Sequence, residues 1–193
     1  MPGLSVRVLG ASRESKAVRG AGDFYIFMNY NLVMSSGVLD EISDGEYLRL
    51  RRRALGLTQA ALAKLSGIPQ PNISLIEQGK LNASPNLAQR LNAVITEKPG
   101  PILERNKGKL LKELNRFGLE NVRVFGSVAS GHDTVDSDVD LMATSARRLG
   151  ISDKLEIEGA AERILATPVD LVVETPRNAG FLERARAQSV ALS

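Results

Sequence analysis

Asp138 and Asp140 stand two residues apart in the segment DSDVDLMA, alternating with Val139 and Leu141. On a strand this spacing sends both carboxylates out of one face, while the two apolar side chains turn into the core behind. Like charges placed so close repel unless a cation answers them. Asp170 interrupts the apolar run of Val169, Leu171, Val172 and Val173, and a strand's core face does not tolerate a charge without a partner. The chain has one histidine and no cysteine. Three oxygen ligands from adjacent strands, with no softer ligand available, suit Mg2+ bound together with the phosphates of a nucleotide. Gly126 and Ser127 follow directly on the segment NVRVF, and ten residues, 128–137, separate Ser127 from Asp138. Glycine lets backbone approach a phosphate, and a serine hydroxyl with N–H groups at a helix start can hold its oxygens.

These groups need a scaffold, and the flanking segments supply one. Ile102, Leu103, Leu110, Leu111 and Leu114 make an apolar stripe on a helix that Gly118 closes. NVRVFGS reads as a strand with Val122 and Val124 on one face. DVDLMA is a second strand, DKLEIEGAAERILAT a helix, PVDLVVE a third strand and FLERARAQSV a last helix. That order implies a small mixed α/β layer rather than a doubly wound nucleotide fold, and the chain has no Walker loop or dinucleotide fingerprint.

The segment VFGSVASGHDTVDSDVDL, with its Gly-Ser, ten-residue gap and Asp-x-Asp, resembles the minimal nucleotidyltransferases of the polymerase-beta-like superfamily. The resemblance runs from about residue 101 to 193, and the third acid matches Asp170. It implies in-line nucleotidyl transfer from ATP: Asp138 and Asp140 hold Mg2+ on the triphosphate, and Gly126 and Ser127 cradle its phosphates. Asp170 either activates the acceptor hydroxyl or binds a second ion. The sequence departs from the family pattern at Ser130, where an arginine is common, and at His132, where an acid is frequent. Arg123, Arg147 and Arg148 are available to compensate, and Asp133 and Asp136 read as turn formers. Small members of the family resemble antitoxins that transfer AMP to a tyrosine of a HEPN-type ribonuclease toxin, which implies such a toxin as partner.

Upstream, the charge changes sign. Residues 46–98 hold eight basic and three acidic residues, a local +5, whereas residues 99–193 hold thirteen and fourteen, a local −1. A basic half suggests a polyanionic partner. Ser43 or Asp44 caps a first helix carrying Leu48, Arg52 and Leu55, which Gly56 stops; Thr58 caps a second, with Leu62, Ala63 and Leu65 facing inward. Gly67 supplies a left-handed turn, and Pro69 opens a third helix with Ile73 and Ile76 on one face, ended by Gly79. Leu87, Leu91, Val94 and Ile95 make a fourth, and EKPGP reads as a linker.

Two helices joined by a short turn are the arrangement that sets a second helix in the major groove. LRRRALGLTQAALAKLSGIPQPNISLIEQGKLNASPNLAQRLNAVI resembles the Xre and phage-repressor type of helix-turn-helix domain, with Gln59, Ala63, Gly67, Ile73, Ile76 and Glu77 at the family's offsets. By that resemblance Gln59 contacts a phosphate and Gln70 approaches a base edge of a double-stranded operator. A glutamine amide suits adenine, Asn72 and Ser74 have the right reach, and Pro71 shares that face. Arg51, Arg52 and Arg53 read as a basic face that meets phosphates. A two-fold operator implies a homodimer or a toxin-bridged assembly.

The expected architecture is thus multidomain: a disordered tail over 1–42, an all-α helix-turn-helix domain over 43–98 and a small mixed-sheet α/β domain over 99–193. The tail carries five glycines and no sustained period; a short strand over Phe24–Val33 is the alternative, and Met28 or Met34 leaves room for a later start. No apolar run reaches a membrane span and no secretory signal is ordered at the start, so no membrane partner and a cytoplasmic location are expected. The leading function is a DNA-binding antitoxin that nucleotidylates its toxin. The alternatives are a regulator whose transferase half only senses nucleotide or binds a partner, and a small-molecule transferase, for which residues 99–193 leave no added substrate domain.

Overall fold

The computed structural model describes residue 39, residues 42–175 and residues 179–192. The expectations of a tail, a short strand or a later start within 1–42 fall outside the described residues, except at Leu39 and Ile42. Leu39 is buried and Ile42 packs against the same cluster, so apolar side chains preceding Ser43 belong to the helical core.

Four helices follow: α1 (Asp44–Ala54), α2 (Gln59–Ser66), α3 (Gln70–Glu77) and α4 (Pro85–Ile95). Side-chain caps begin three of them, the Ser43, Thr58 and Ser84 hydroxyls accepting from the N–H groups of Glu46, Ala61 and Leu87. Gly67 takes the left-handed conformation between α2 and α3. Leu48, Leu62, Ile68, Ile73, Ile76, Leu91 and Ile95 close the core. Leu65 departs from its expected place and is 60% exposed. Leu62 and Ser66, one turn apart, define the inward face of α2, and Leu65 lies about 100° round the helix from Ser66. α1 meets α3 closely at Gly45, where a β-carbon would overlap the Ile76 carbonyl oxygen.

EKPGP is not a linker. Only residues 96–98 separate α4 from α5 (Pro99–Arg116), because Pro99 sits at the first helical position, where its missing N–H costs nothing. The sheet then has the order β3-β2-β1-β4, from β1 (Leu119–Phe125), β2 (Val139–Ser145), β3 (Val169–Val173) and β4 (Val190–Ala191). β2 runs antiparallel to β1 and parallel to β3. The four-residue α6 (Gly126–Ala129) follows β1, α7 (Ile151–Leu165) makes the crossover between the parallel strands, and α8 (Ala179–Ala187) precedes β4. The last helix is thus shorter than FLERARAQSV suggests. Arg123 of β1 donates to the Ser189 hydroxyl and carbonyl oxygens, and the following residues pair with β1 instead of continuing the helix.

Ile102, Leu110 and Leu114 of α5 and Ile157 and Leu165 of α7 pack over one sheet face with Val122, Val124, Leu141 and Leu171. Ala54 of α1 enters the same cluster, and its carbonyl accepts from the Asn106 amide of α5. Arg51 is 2% exposed and donates to the carbonyls of Ile95, Glu97 and Ala166 and to the Thr167 hydroxyl, tying the helical half to the end of α7. Arg52 is likewise buried, in a bidentate pair with Glu77 at 2.6 and 2.8 Å, and donates to Leu57 O. Arg51 and Arg52 are therefore structural, not the phosphate-facing surface expected; Arg53 alone of the three is exposed.

Candidate functional site

β1 ends at Phe125 and the chain turns sharply at Gly126, whose φ of +69° favours glycine. A β-carbon there would overlap Oδ2 of Asp140. The Gly-Ser turn therefore lies directly against the second acid of the Asp-x-Asp. Phe125 pairs with Asp140 in the β1–β2 register, which is what brings the two together.

Val139 and Leu141 are fully buried, so Asp140 leaves the opposite face of β2, as the alternation requires. Asp138 lies one residue before the strand and is exposed. Asp170 pairs with Asp140 in the parallel β2–β3 register. It is not on the core face: Val169 and Leu171 are buried and the Asp170 side chain is more than half exposed, on the face that also carries Asp140. Burial, then the charges of Asp138 and Asp170, push the Asp140 carboxyl up to about 6. That is the electrostatic signature of a site wanting positive charge.

The Gly-Ser turn lies against Asp140, and Asp170 shares the sheet face of Asp140, one strand over. Among the described residues no group of three or more His, Cys, Asp or Glu side chains converges as a ready-made metal site. Lys154 Nζ lies 3.0 Å from Asp170 Oδ1 and 3.2 Å from Glu158 Oε1. Glu158 Oε1 also accepts the Leu171 N–H at 2.8 Å, and Glu162 Oε1, one turn on, accepts the Val169 N–H. These two carboxylates cover outward N–H groups of the edge strand β3. Lys154 and Glu158 escaped sequence reasoning, although their i, i+4 spacing marked them as a helix pair.

Ser130, at the position where an arginine is common, turns its hydroxyl back onto the carbonyls of Gly126 and Ser127, and His132 N–H donates to Ser127 O. Asp133 is no simple turn former: it is buried, and its Oδ2 accepts the Gly100 N–H at 2.9 Å, pinning the motif loop to the start of α5. Asp136 lies in a turn, as expected. A cleft of about 670 Å³ beside Lys154 is lined by Arg147, Arg148, Leu149, Ile151 and Val173 among others. It runs from the Ser145 and Val173 ends of β2 and β3 to Lys154, which also lines it and reaches Asp170.

In the helical half, Gln70 and Pro71 are exposed at the start of α3, and Asn72 and Ser74 are partly exposed. Gln70 donates to Gln59 Oε1 at 2.7 Å, Gln59 donates to Glu77 Oε2 at 2.9 Å, and Glu77 holds Arg52. Although burial opposes it, hydrogen bonds from Arg52 and Gln59 hold the Glu77 carboxyl below the usual range. The exposed glutamine is thus the end of a chain anchored in the core. Ser74 accepts from the Gln78 amide, and Leu75 projects from the same helix with 40% exposure.

A helix-turn-helix domain family matches residues 45–94, and a nucleotidyltransferase domain family matches residues 107–190. The protein adenylyltransferase MntA of Thermococcus cleftensis is 36% identical over 71 residues, which span 36% of this chain and 72% of that relative. A toxin–antitoxin structure with AMP-PNP is similar over 46% of this chain and 73% of its own, at 24% identity and a TM-score of 0.42. A tri-AMPylated Shewanella oneidensis HEPN toxin in complex with an MNT antitoxin is similar over 47% of this chain and 71% of its own, at 22% identity and a TM-score of 0.39. No described helix is long and apolar enough to cross a membrane.

Proposed function

The chain belongs to the nucleotidyltransferase family that includes the protein adenylyltransferase MntA, here joined to a helix-turn-helix domain, and from that premise we propose that it adenylylates a protein while repressing through DNA. The acceptor is a HEPN-type toxin made alongside it, and the DNA is a double-stranded operator upstream of its own gene. The toxin follows from the resemblance carried by the Gly-Ser and Asp-x-Asp motif. The observation that carries the chemistry is the seating of the Asp140 carboxylate against Gly126, facing Asp170 across two parallel strands.

Asp138 and Asp140 are the residues that would hold Mg2+, and a donor set of hard oxygens with one carboxyl pushed up by burial and by its acidic neighbours fits that ion. Bound there with ATP, the ion would neutralise triphosphate charge as it builds in the transition state. The Gly126–Ser127 turn offers backbone close enough to carry the phosphates. The acceptor hydroxyl oxygen attacks the α-phosphorus, the bond to the β-phosphate oxygen breaks, and pyrophosphate leaves in line. Asp170, on the same sheet face, orients that hydroxyl and takes its proton, or else serves a second ion.

The helix-turn-helix half presents Gln70, Pro71, Asn72 and Ser74 on α3 to the major groove, with Gln59 beside them for a phosphate. Two copies on a two-fold operator, as a homodimer or bridged by the toxin, give enough reading length. A second reading draws on Ser130: its hydroxyl is spent on the turn's own carbonyls, so the turn lacks the arginine common there, and the α/β half then senses nucleotide without transferring it.

The two readings separate in one experiment. The operon is expressed with wild type or with Asp138→Asn and Asp140→Asn together, the mass of the toxin is measured, and operator binding is followed by gel shift. Transfer lost in the double variant with operator binding kept supports adenylylation; an unmodified toxin with wild type supports the sensor.

A further inference from the structure

We propose that Lys154 is a resident cation of the active site, occupying Asp170 so that the chain takes a single divalent ion, at Asp138 and Asp140. The inference rests on the adenylyltransferase reading and chooses between the two roles left open for Asp170. Asp140 and Asp170 are register partners on parallel neighbours, so their side chains leave one face of strands whose backbones lie about 4.8 Å apart. A two-metal phosphoryl site sets its ions roughly 3.5–4 Å apart, and the second ion here would need Asp170. The Lys154 ammonium already lies 3.0 Å from Asp170 Oδ1.

That placement does not depend on Asp170 alone. Glu158, one helical turn after Lys154, binds the ammonium at 3.2 Å through the same oxygen that accepts the Leu171 N–H. Its position is therefore set by the β3 backbone, and Glu162 repeats the docking one turn later at Val169. α7 is thus fixed along the strand edge that carries Asp170, and Lys154 emerges from it at the height of that acid. A single ammonium shared between Glu158 and Asp170 leaves Asp138 and Asp140 as the pair whose charge matches one divalent ion. Asp170 then acts on the acceptor hydroxyl, and Lys154 is a positioning residue for it.

The test counts ions by a route independent of turnover. The full chain is mixed with one equivalent of α,β-methylene-ATP and titrated with Mn2+, and free Mn2+ is read by electron paramagnetic resonance. Wild type and Lys154→Arg are expected to bind one ion per chain. Lys154→Met and Lys154→Gln, each checked for a cooperative thermal transition, are expected to bind two, with the spectrum of a coupled manganese pair; either variant that folds suffices. Two ions in wild type, or one in a folded neutral variant, would overturn the inference. Binding no tighter than to the free nucleotide in wild type would overturn the adenylyltransferase reading itself, and the inference with it, before any variant is compared.

Discussion

The Asp140 carboxylate occupies the place where a β-carbon on Gly126 would stand. Gly126→Ala therefore meets two obstacles, a φ of +69° and the overlap with Oδ2. It should cost about 1–3 kcal/mol of stability and displace Asp140 from the place where we propose it holds an ion. Thermal unfolding and nucleotide titration check this, and a variant with unchanged nucleotide affinity would show that the turn is not a phosphate seat.

Asp140 also makes stability depend on pH in a direction opposite to most carboxylates. Its folded-state pKa of about 6 lies above the ordinary 3.8, so the native state binds the proton more tightly than the unfolded chain. Without divalent ions, stability from this group should be present below about pH 4 and lost as pH rises through 6. For a half-exposed group the effect is on the order of 1 kcal/mol after solvent screening. Denaturant unfolding in EDTA across that window, wild type against Asp140→Asn, should show the variant gaining relative stability as pH rises, and Mg2+ with nucleotide should reverse the order.

Arg51 and Arg52 are expected to fail by unfolding rather than by loss of phosphate contacts. Arg51→Met leaves the Ile95, Glu97 and Ala166 carbonyls without their donor and should cost at least about 1–3 kcal/mol. Calorimetry should then show the helical and α/β halves melting less cooperatively. Glu77→Ala strands the buried Arg52 charge and should cost about 3–5 kcal/mol. A wild-type melting temperature in either variant would contradict the buried networks.

Operator binding should weaken with salt by about 0.9 in log affinity per phosphate neutralised, a slope that gel shifts across KCl concentrations measure. Gln70→Ala should relax base discrimination by about 1–3 kcal/mol with that slope unchanged, and Arg53→Ala should reduce the slope with discrimination unchanged. The same loss from both would contradict the placement of α3 in the groove.

Much of this was readable in the chain. Ser43, Thr58, Gly67 and Pro69 punctuate the helices locally, and the Asp-x-Asp alternation with Val139 and Leu141 needs only the strand period. What escaped lies far apart in sequence. Arg51 reaches Ala166, 115 residues away, so its place in a run of three arginines reads as a phosphate-facing surface. Asp170 looked buried because its neighbours are apolar, yet β3 is an edge strand whose outward face leaves it exposed. Gln188 to Val190 read as helical because nothing local announces that Arg123 will capture Ser189.

The most direct test incubates the chain with Mg2+, the purified toxin and ATP labelled at either the α- or the γ-phosphate. Adenylyl transfer keeps the α-phosphate and releases the other two as pyrophosphate, so only the α-label should enter the toxin. Asp138→Asn with Asp140→Asn should lose that signal by several orders of magnitude. Label entering from γ-labelled ATP, or from neither, would contradict the account.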